Sequence, residues 1–249
     1  MKINKQKRNA GIQKKIYKHG FTLIELAIVL AVIGLILSSI TGGKALVEQA
    51  KLRSTFATFN RAKVAETVFR TTYDSYPGDF SSATNFWSAC TDSGSNYCNG
   101  NGDTLFGVPG TDNYESYRYW QHLSLAGLIS DSIDPTYSSW GECRPGNTSI
   151  KIPIENTCFT VKNLFPTSDT RIYGAPTQLK HVYHFNNAIG SGVLSPLQAK
   201  SFDQKYDDGL ADRGRIQAEG GSCVSGDWSS ARTYLTTDTP YACVFWLYP

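Results

Sequence analysis

A single acidic side chain lies inside an apolar run near the start of the chain. From Phe21 to Ile40 there are 20 residues, and Glu25 is the only charged one. As a helix this run would span roughly 30 Å, which matches the hydrocarbon core of a bilayer. A carboxylate there is costly, so we expect Glu25 to have a partner and a function. The alternative is a plain membrane anchor in which Glu25 is protonated or faces a partner helix.

A cluster of oxygen-bearing side chains has the spacing of calcium ligands. Asn99, Asn101 and Asp103 alternate with glycines, as ligands do in the first part of a calcium loop. The acidic residue expected at the twelfth loop position is missing, because position 110 is Gly. The pattern therefore indicates either a calcium ion or a turn rich in glycine and asparagine.

A second acidic cluster follows later in the chain, at Asp203, Asp207 and Asp208. Asp203 and Asp207 are four residues apart, which places both on one face of a helix, where they could share a cation. The alternative is a solvated helix end with Gly209 as its cap.

All six cysteines follow the apolar run, and their even number indicates disulfides and an oxidising compartment. No CxxC pair or Cys/His cluster with zinc spacing is present. Pairing of sequence neighbours would close short loops, and the alternative is that some thiols stay reduced and buried. The expected pairs are Cys90 with Cys98, Cys143 with Cys158, and Cys223 with Cys243.

The sequence does not predict an enzyme. His181 and His184 are three residues apart, so on a strand they point to opposite faces and cannot jointly bind zinc. His122 has no nucleophile motif near it, so we expect an ordinary half-buried residue. No GxSxG, phosphate loop, dinucleotide fingerprint or HExxH is present.

The charges are divided unevenly along the chain. Seven of the 24 basic residues lie before Gly20, where there is no acidic residue, and the remainder has 17 basic against 21 acidic residues. Basic residues ahead of a membrane span predict that the N-terminus is cytoplasmic and the bulk of the chain is outside. The acidic remainder argues against broad nucleic-acid binding.

A helix is predicted to continue beyond the apolar run. Residues 44–76 are rich in helix formers. Gly42 and Gly43, just before them, are expected to lower the stability of the helix locally. One apolar stripe at helical spacing should pack on a sheet, and Pro77-Gly78 should end the helix. The stripe comprises Leu52, Phe56, Phe59, Ala62, Phe69 and Tyr73.

From residue 79 onward, the sequence predicts loops, one short helix and an antiparallel sheet. Residues 79–113 read as loops, and residues 113–127 as an amphipathic helix capped by Gly127. Its inward positions are Tyr117, Trp120, Leu123 and Ala126. The predicted strands are 149–154, 158–164, 179–185 and 241–247.

The segment KHGFTLIELAIVLAVIGLIL, which begins at Lys18, resembles the N-terminal signal of type IV pilins and type II secretion pseudopilins. The shared features are a basic leader, Gly, Phe, and Glu as the fifth residue after the cleavage point. Short motifs later in the chain also resemble those of a subgroup of pilin-like proteins. They lie at residues 76–80, 99–103, 120–129 and 202–209. The chain lacks the C-terminal calcium-loop pattern expected of the major type II secretion pseudopilin.

This resemblance implies a processing route. A prepilin peptidase would cut between Gly20 and Phe21 and methylate the new amine of Phe21. That amine on a neighbouring subunit would pair with Glu25 and set the axial register of assembly. The implied partners are other pilin or pseudopilin subunits, the peptidase and the inner-membrane assembly platform.

The resemblance also implies an α+β fold in which a long N-terminal helix packs on an antiparallel sheet with loop-rich, disulfide-bearing insertions. The expected domains are a basic leader (1–20), a transmembrane assembly helix (21–42), its amphipathic continuation (43–76) and a periplasmic head (77–249). The expected function is a structural subunit of a pilus or pseudopilus. The alternatives are a minor tip subunit whose head binds a surface, cargo or DNA, and a membrane-anchored periplasmic enzyme.

Overall fold

The fold is that of a computed structural model, which describes residues 20–90, 92–93, 96–106, 115–133, 144–164, 180–187, 192–226, 231–237, 239–240 and 242–248. The chain divides into two compact units, one ending at Glu48 and the other beginning at Gln49.

The first helix, α1, runs from Leu23 to Tyr73 and continues through Gly42 and Gly43. It ends three residues before the predicted boundary at 76, because Asp74 has a left-handed backbone (φ 51°). The amide of Asp74 still donates to the carbonyl of Arg70 at 3.0 Å, which closes the last turn.

The predicted apolar stripe of α1 is confirmed in the second unit. Phe59, Ala62 and Phe69 are buried, and Leu52, Phe56 and Tyr73 pack partly buried against the same core. The Phe59 ring meets that of Tyr183 at 5.2 Å, so the helix packs on the sheet through aromatic contacts.

In the described part of the chain, the other helices are short and the strands form three sheets. The helices are α2 (Ala83–Phe86), α3 (Glu115–Leu125) and α4 (Pro196–Tyr206). The strands are β1 (Asp92–Ser93), β2 (Asn96–Tyr97), β3 (Thr157–Leu164), β4 (Lys180–Asn187), β5 (Ile216–Glu219), β6 (Val224–Ser225), β7 (Thr233–Tyr234) and β8 (Val244–Leu247). The main sheet is antiparallel in the order β3-β4-β8-β5, and β1-β2 and β6-β7 are small ribbons.

The two faces of the main sheet carry different side chains. Phe159, Tyr183 and Phe245 belong to the main core, whereas Val182 and Trp246 form a smaller cluster with Tyr248. Alternation along β4 produces this division, since successive side chains on a strand point to opposite faces.

The two histidines of β4 follow the same alternation, as predicted. His181 contacts the ring of Tyr76 at 4.3 Å, and His184 lies against Trp246 at 4.2 Å on the other face. They cannot bind one metal ion together.

Helix α3 confirms the predicted amphipathic helix. Tyr117, Trp120 and Leu123 are buried, Ala126 is partly buried, and Gly127 has the left-handed backbone (φ 68°) of a helix C-terminus. The indole of Trp120 donates to the carbonyl of Phe159 at 2.8 Å, so α3 is fixed to the edge strand β3.

Three of the four predicted strands are confirmed with shifted ends, although Leu179 and Tyr241 lie outside the described residues. The strand predicted at 149–154 is wrong, since only Ser149 forms a bridge, to Pro145. Pro153 has no amide hydrogen for a ladder, which explains the turn there. The sequence interpretation missed β5, whose four residues complete the sheet.

Two of the three predicted disulfides are present, between Cys90 and Cys98 and between Cys223 and Cys243. Cys158 is fully buried, and its predicted partner Cys143 lies outside the described residues.

Candidate functional site at the N-terminal helix

The peptide bond between Gly20 and Phe21 lies just ahead of α1, in a segment without regular structure. A side chain at Gly20 would meet no atom within 4 Å, and Phe21 is 92% exposed. The described residues leave this bond accessible from all sides.

Glu25 closes the first turn of α1 by reciprocal capping with Thr22. The Glu25 amide donates to the Thr22 hydroxyl at 3.3 Å, while the Thr22 amide and hydroxyl donate to Oε2 of Glu25 at 2.8 and 2.7 Å. These bonds satisfy amide groups that a helix start leaves open. Within the described residues, Oε1 of Glu25 has no hydrogen bond.

The rest of this segment is apolar and uncovered. Its large apolar side chains between Leu23 and Ile40 are 46% to 88% exposed. By length and composition, α1 is able to cross a membrane. Glu25 is therefore a carboxylate within a surface that needs lipid or other apolar helices around it.

The structure separates Asn99 from the other two predicted calcium ligands, whereas the Asn101 side chain still donates to the Asp103 carboxylate at 3.0 Å. The Asn99 side chain accepts from the Thr84 amide at 3.0 Å and so holds α2. Asp103 instead joins Asp79 and Glu115, whose carboxylate oxygens lie within 4.8 Å of one another. Sequence reasoning missed Asp79 and Glu115, because neither has a ligand-like spacing from Asp103.

The carboxylates of this cluster organise the loop between them. Asp79 accepts from the amides of Gly102 at 2.7 Å and Thr104 at 2.9 Å, and Glu115 accepts from the Asn101 amide at 3.0 Å. Burial raises the pKa of the Asp79 carboxyl, although these amides oppose the rise. Calcium binding stays a prediction, which a chelator-dependent fall in Tm would test.

The second predicted cluster has a defined structural role. Asp203 is fully buried in α4 and accepts from the Tyr234 hydroxyl at 2.8 Å and the Gly209 amide at 3.2 Å. Asp207 is the C-cap of α4 and accepts from the Ile216 amide at 2.8 Å, at the start of β5.

Two details modify the predicted solvated helix end. Gly209 has a left-handed backbone (φ 76°) but is not the cap that was predicted, because Asp207 is the C-cap. Asp208 is exposed. Asp203, however, is buried rather than solvated, and burial raises the pKa of its carboxyl to about 7.

His122 is a fully buried core residue rather than the half-buried one expected. Its Nδ1 accepts from the Gly78 amide at 2.8 Å, so Nε2 donates to the Cys98 carbonyl at 2.8 Å. Burial lowers the pKa of this imidazole to about 4. Both ring nitrogens are thus engaged in hydrogen bonds with backbone groups.

Comparison with known proteins bears on the N-terminal segment. Residues 16–41 match the family model of the prokaryotic N-terminal methylation motif. No curated protein and no solved structure matched the chain. The matched residues contain Gly20, Phe21 and Glu25, the three positions singled out above.

Proposed function

We propose that this chain, whose methylation motif and following long helix fit a type IV pilin-like prepilin, is a structural subunit of a pilus or type II secretion pseudopilus. The observation that carries the proposal is the matched motif, in which an exposed Gly20–Phe21 bond stands directly before an apolar helix containing Glu25.

Processing is the first step of the proposed function. A prepilin peptidase cuts between Gly20 and Phe21 and methylates the amine that this frees. The exposure of both residues supports this step, because a peptidase needs an extended, uncovered peptide bond.

Assembly is the second step. The Phe21 amine of one subunit pairs with Glu25 of its neighbour, which neutralises a carboxylate in an apolar environment and fixes the axial register. Support comes from Oε1, which is free within the described residues while Oε2 bonds to Thr22. The partners are other such subunits and the inner-membrane assembly platform.

The proposed location follows from the charges and cysteines. The apolar helix α1, the one such helix among the described residues, supports a single-pass, membrane-anchored protein. Basic residues before the helix favour a cytoplasmic N-terminus and a periplasmic head. The disulfides Cys90–Cys98 and Cys223–Cys243 support an oxidising compartment for that head.

Intact mass of the membrane-extracted chain, with and without the peptidase, tests the proposal. We expect a species that begins at methylated Phe21 only when the enzyme is present. Gly20→Val should abolish cleavage without affecting the fold, since Gly20 has open space around it. A chain that keeps residues 1–20 in both cases would contradict the proposal and leave α1 a simple anchor.

A further inference from the structure

A cavity of about 480 Å³ lies in the second unit, beside the C-terminal end of α1. One wall is the helix end, with Thr67, Arg70 and Asp74, and the facing wall is the loop that contains Thr104. Its size is within the range of small-molecule sites. The proposed function uses none of these residues.

Arg70 supplies a positioned cation to this cavity. Its guanidinium lies over the ring of Tyr76 at 4.1 Å, and that ring is held in turn by His181 at 4.3 Å and Phe106 at 5.7 Å. Among the described residues, Arg70 has no hydrogen bond and no carboxylate partner. A guanidinium stacked by its face keeps its edge donors available for a carboxylate.

The facing wall is fixed in a strained conformation. Thr104 has a left-handed backbone (φ 67°), which is unusual for a β-branched residue. Asp79 holds its amide at 2.9 Å, and Nε2 of His181 bonds to its carbonyl at 3.0 Å. Burial lowers the pKa of His181 to about 4, so this imidazole is a neutral donor. Strain of this kind persists where the surroundings over-determine it, and it occurs often at ligand sites.

The cavity has one available group of each charge. Both oxygens of Asp79 accept backbone amides, so this carboxylate is engaged. Asp74 is exposed and lies four residues after Arg70, and its carboxylate accepts no hydrogen bond within the described structure. We propose that the cavity binds a small zwitterion, an amino acid or short peptide, with its carboxylate on Arg70 and its ammonium on Asp74.

Binding of triglycine to the full chain in detergent, measured by equilibrium dialysis, tests this site. We expect triglycine to bind at least about tenfold more tightly than triglycinamide, which lacks the carboxylate. N-acetyltriglycine, which lacks the ammonium, should also bind more weakly. Equal binding of the three peptides, or no binding of triglycine at millimolar concentration, would overturn the proposal.

Variants locate the site. Arg70→Gln should weaken triglycine binding about tenfold or more, and Asp74→Asn should remove the preference over N-acetyltriglycine. Arg61→Gln is the matched control, since Arg61 is exposed on the same helix and contacts Thr58 rather than the cavity. Unchanged binding in Arg70→Gln would place the ligand elsewhere. If Arg70→Gln unfolds, the relative affinities of the three peptides for the unaltered chain decide whether the cavity binds a zwitterion.

Discussion

In the single chain, one oxygen of the Glu25 carboxylate is satisfied locally. Oε2 takes two hydrogen bonds from Thr22, and both residues sit at the first turn of α1. This arrangement gives the exposed acid a hydrogen-bond partner before assembly, which would reduce its cost in hydrocarbon. Under the proposed function, the amine of a neighbouring subunit would bond to Oε1, the oxygen that Thr22 leaves free.

The first prediction concerns Glu25 itself. Glu25→Gln should leave cleavage at Phe21 intact and abolish filaments, because an amide cannot neutralise the amine of a neighbour. The measurements are intact mass and electron microscopy of sheared filaments. Thr22→Val is the control, which weakens the cap by about 1 kcal/mol and keeps the carboxylate. Normal filaments in Glu25→Gln would refute the assembly role.

Asp203 is the residue for which we expect a pH effect on stability. Its pKa of about 7 in the fold exceeds the ordinary value of 3.8. Between these values the folded state binds more protons than the unfolded state, so stability falls as pH rises from about 4 to 7. Above this window the effect is constant.

The second prediction follows from this fall in stability with rising pH. Asp203→Asn should flatten the pH dependence of unfolding free energy between pH 4 and 7, by on the order of 1–2 kcal/mol. Urea unfolding at several pH values measures this slope. Asp208→Asn is the control, since Asp208 is exposed. A slope that stays as steep in Asp203→Asn would mean that another group titrates.

At the scale of elements, one carboxylate joins α1, α3 and the sheet. Oε2 of Glu66 accepts from the hydroxyls of Tyr119 at 3.0 Å and Tyr183 at 2.8 Å, and the two hydroxyls are 2.5 Å apart. Burial raises the pKa of both tyrosines well above its usual value, so they remain protonated donors. Three elements thus share one polar contact inside an aromatic core.

The third prediction tests that contact. Glu66→Ala should lower the free energy of unfolding by about 2–3 kcal/mol, since two buried hydroxyls lose a charged acceptor. Val64→Ala is the control on the same helix, because Val64 is 64% exposed. Equal losses in the two variants would show that the Glu66 contact adds no stability.

At the scale of the whole molecule, the chain combines an apolar helix segment with a cross-linked second unit. Cys223 and Cys243 are fully buried and connect the turn before β6 to the start of β8. Cys90 and Cys98 close a shorter loop, of separation 8 against 20. A longer closed loop removes more entropy from the unfolded chain.

The fourth prediction compares the two bridges. Replacing Cys223 and Cys243 by alanine should cost about 3 kcal/mol of unfolding free energy, against roughly 2.5 kcal/mol for Cys90 and Cys98. Denaturant unfolding of the oxidised proteins in detergent measures both. A larger cost for the Cys90 and Cys98 pair would contradict the loop-length argument.

Local pattern in the sequence determined the N-terminal segment, the apolar stripe of α1, helix α3 and three strands of the main sheet. Each depends on contacts between residues a few positions apart, so periodicity and turn residues were enough. Two of the three adjacent cysteine pairs, Cys90–Cys98 and Cys223–Cys243, were found for the same reason, because they close short loops. The wrong strand at 149–154 shows the limit, since Pro153 outweighed its β-branched neighbours.

Only the tertiary structure decided which distant side chains meet. Asp79 with Glu115, Glu66 with Tyr183, and the cavity wall at Thr104 join residues far apart in the chain, and no spacing rule marks them. The burial of Asp203 also came from the fold, because a helix end can face solvent or the core. Such contacts depend on how elements pack, and that is set by the whole core rather than by any one segment.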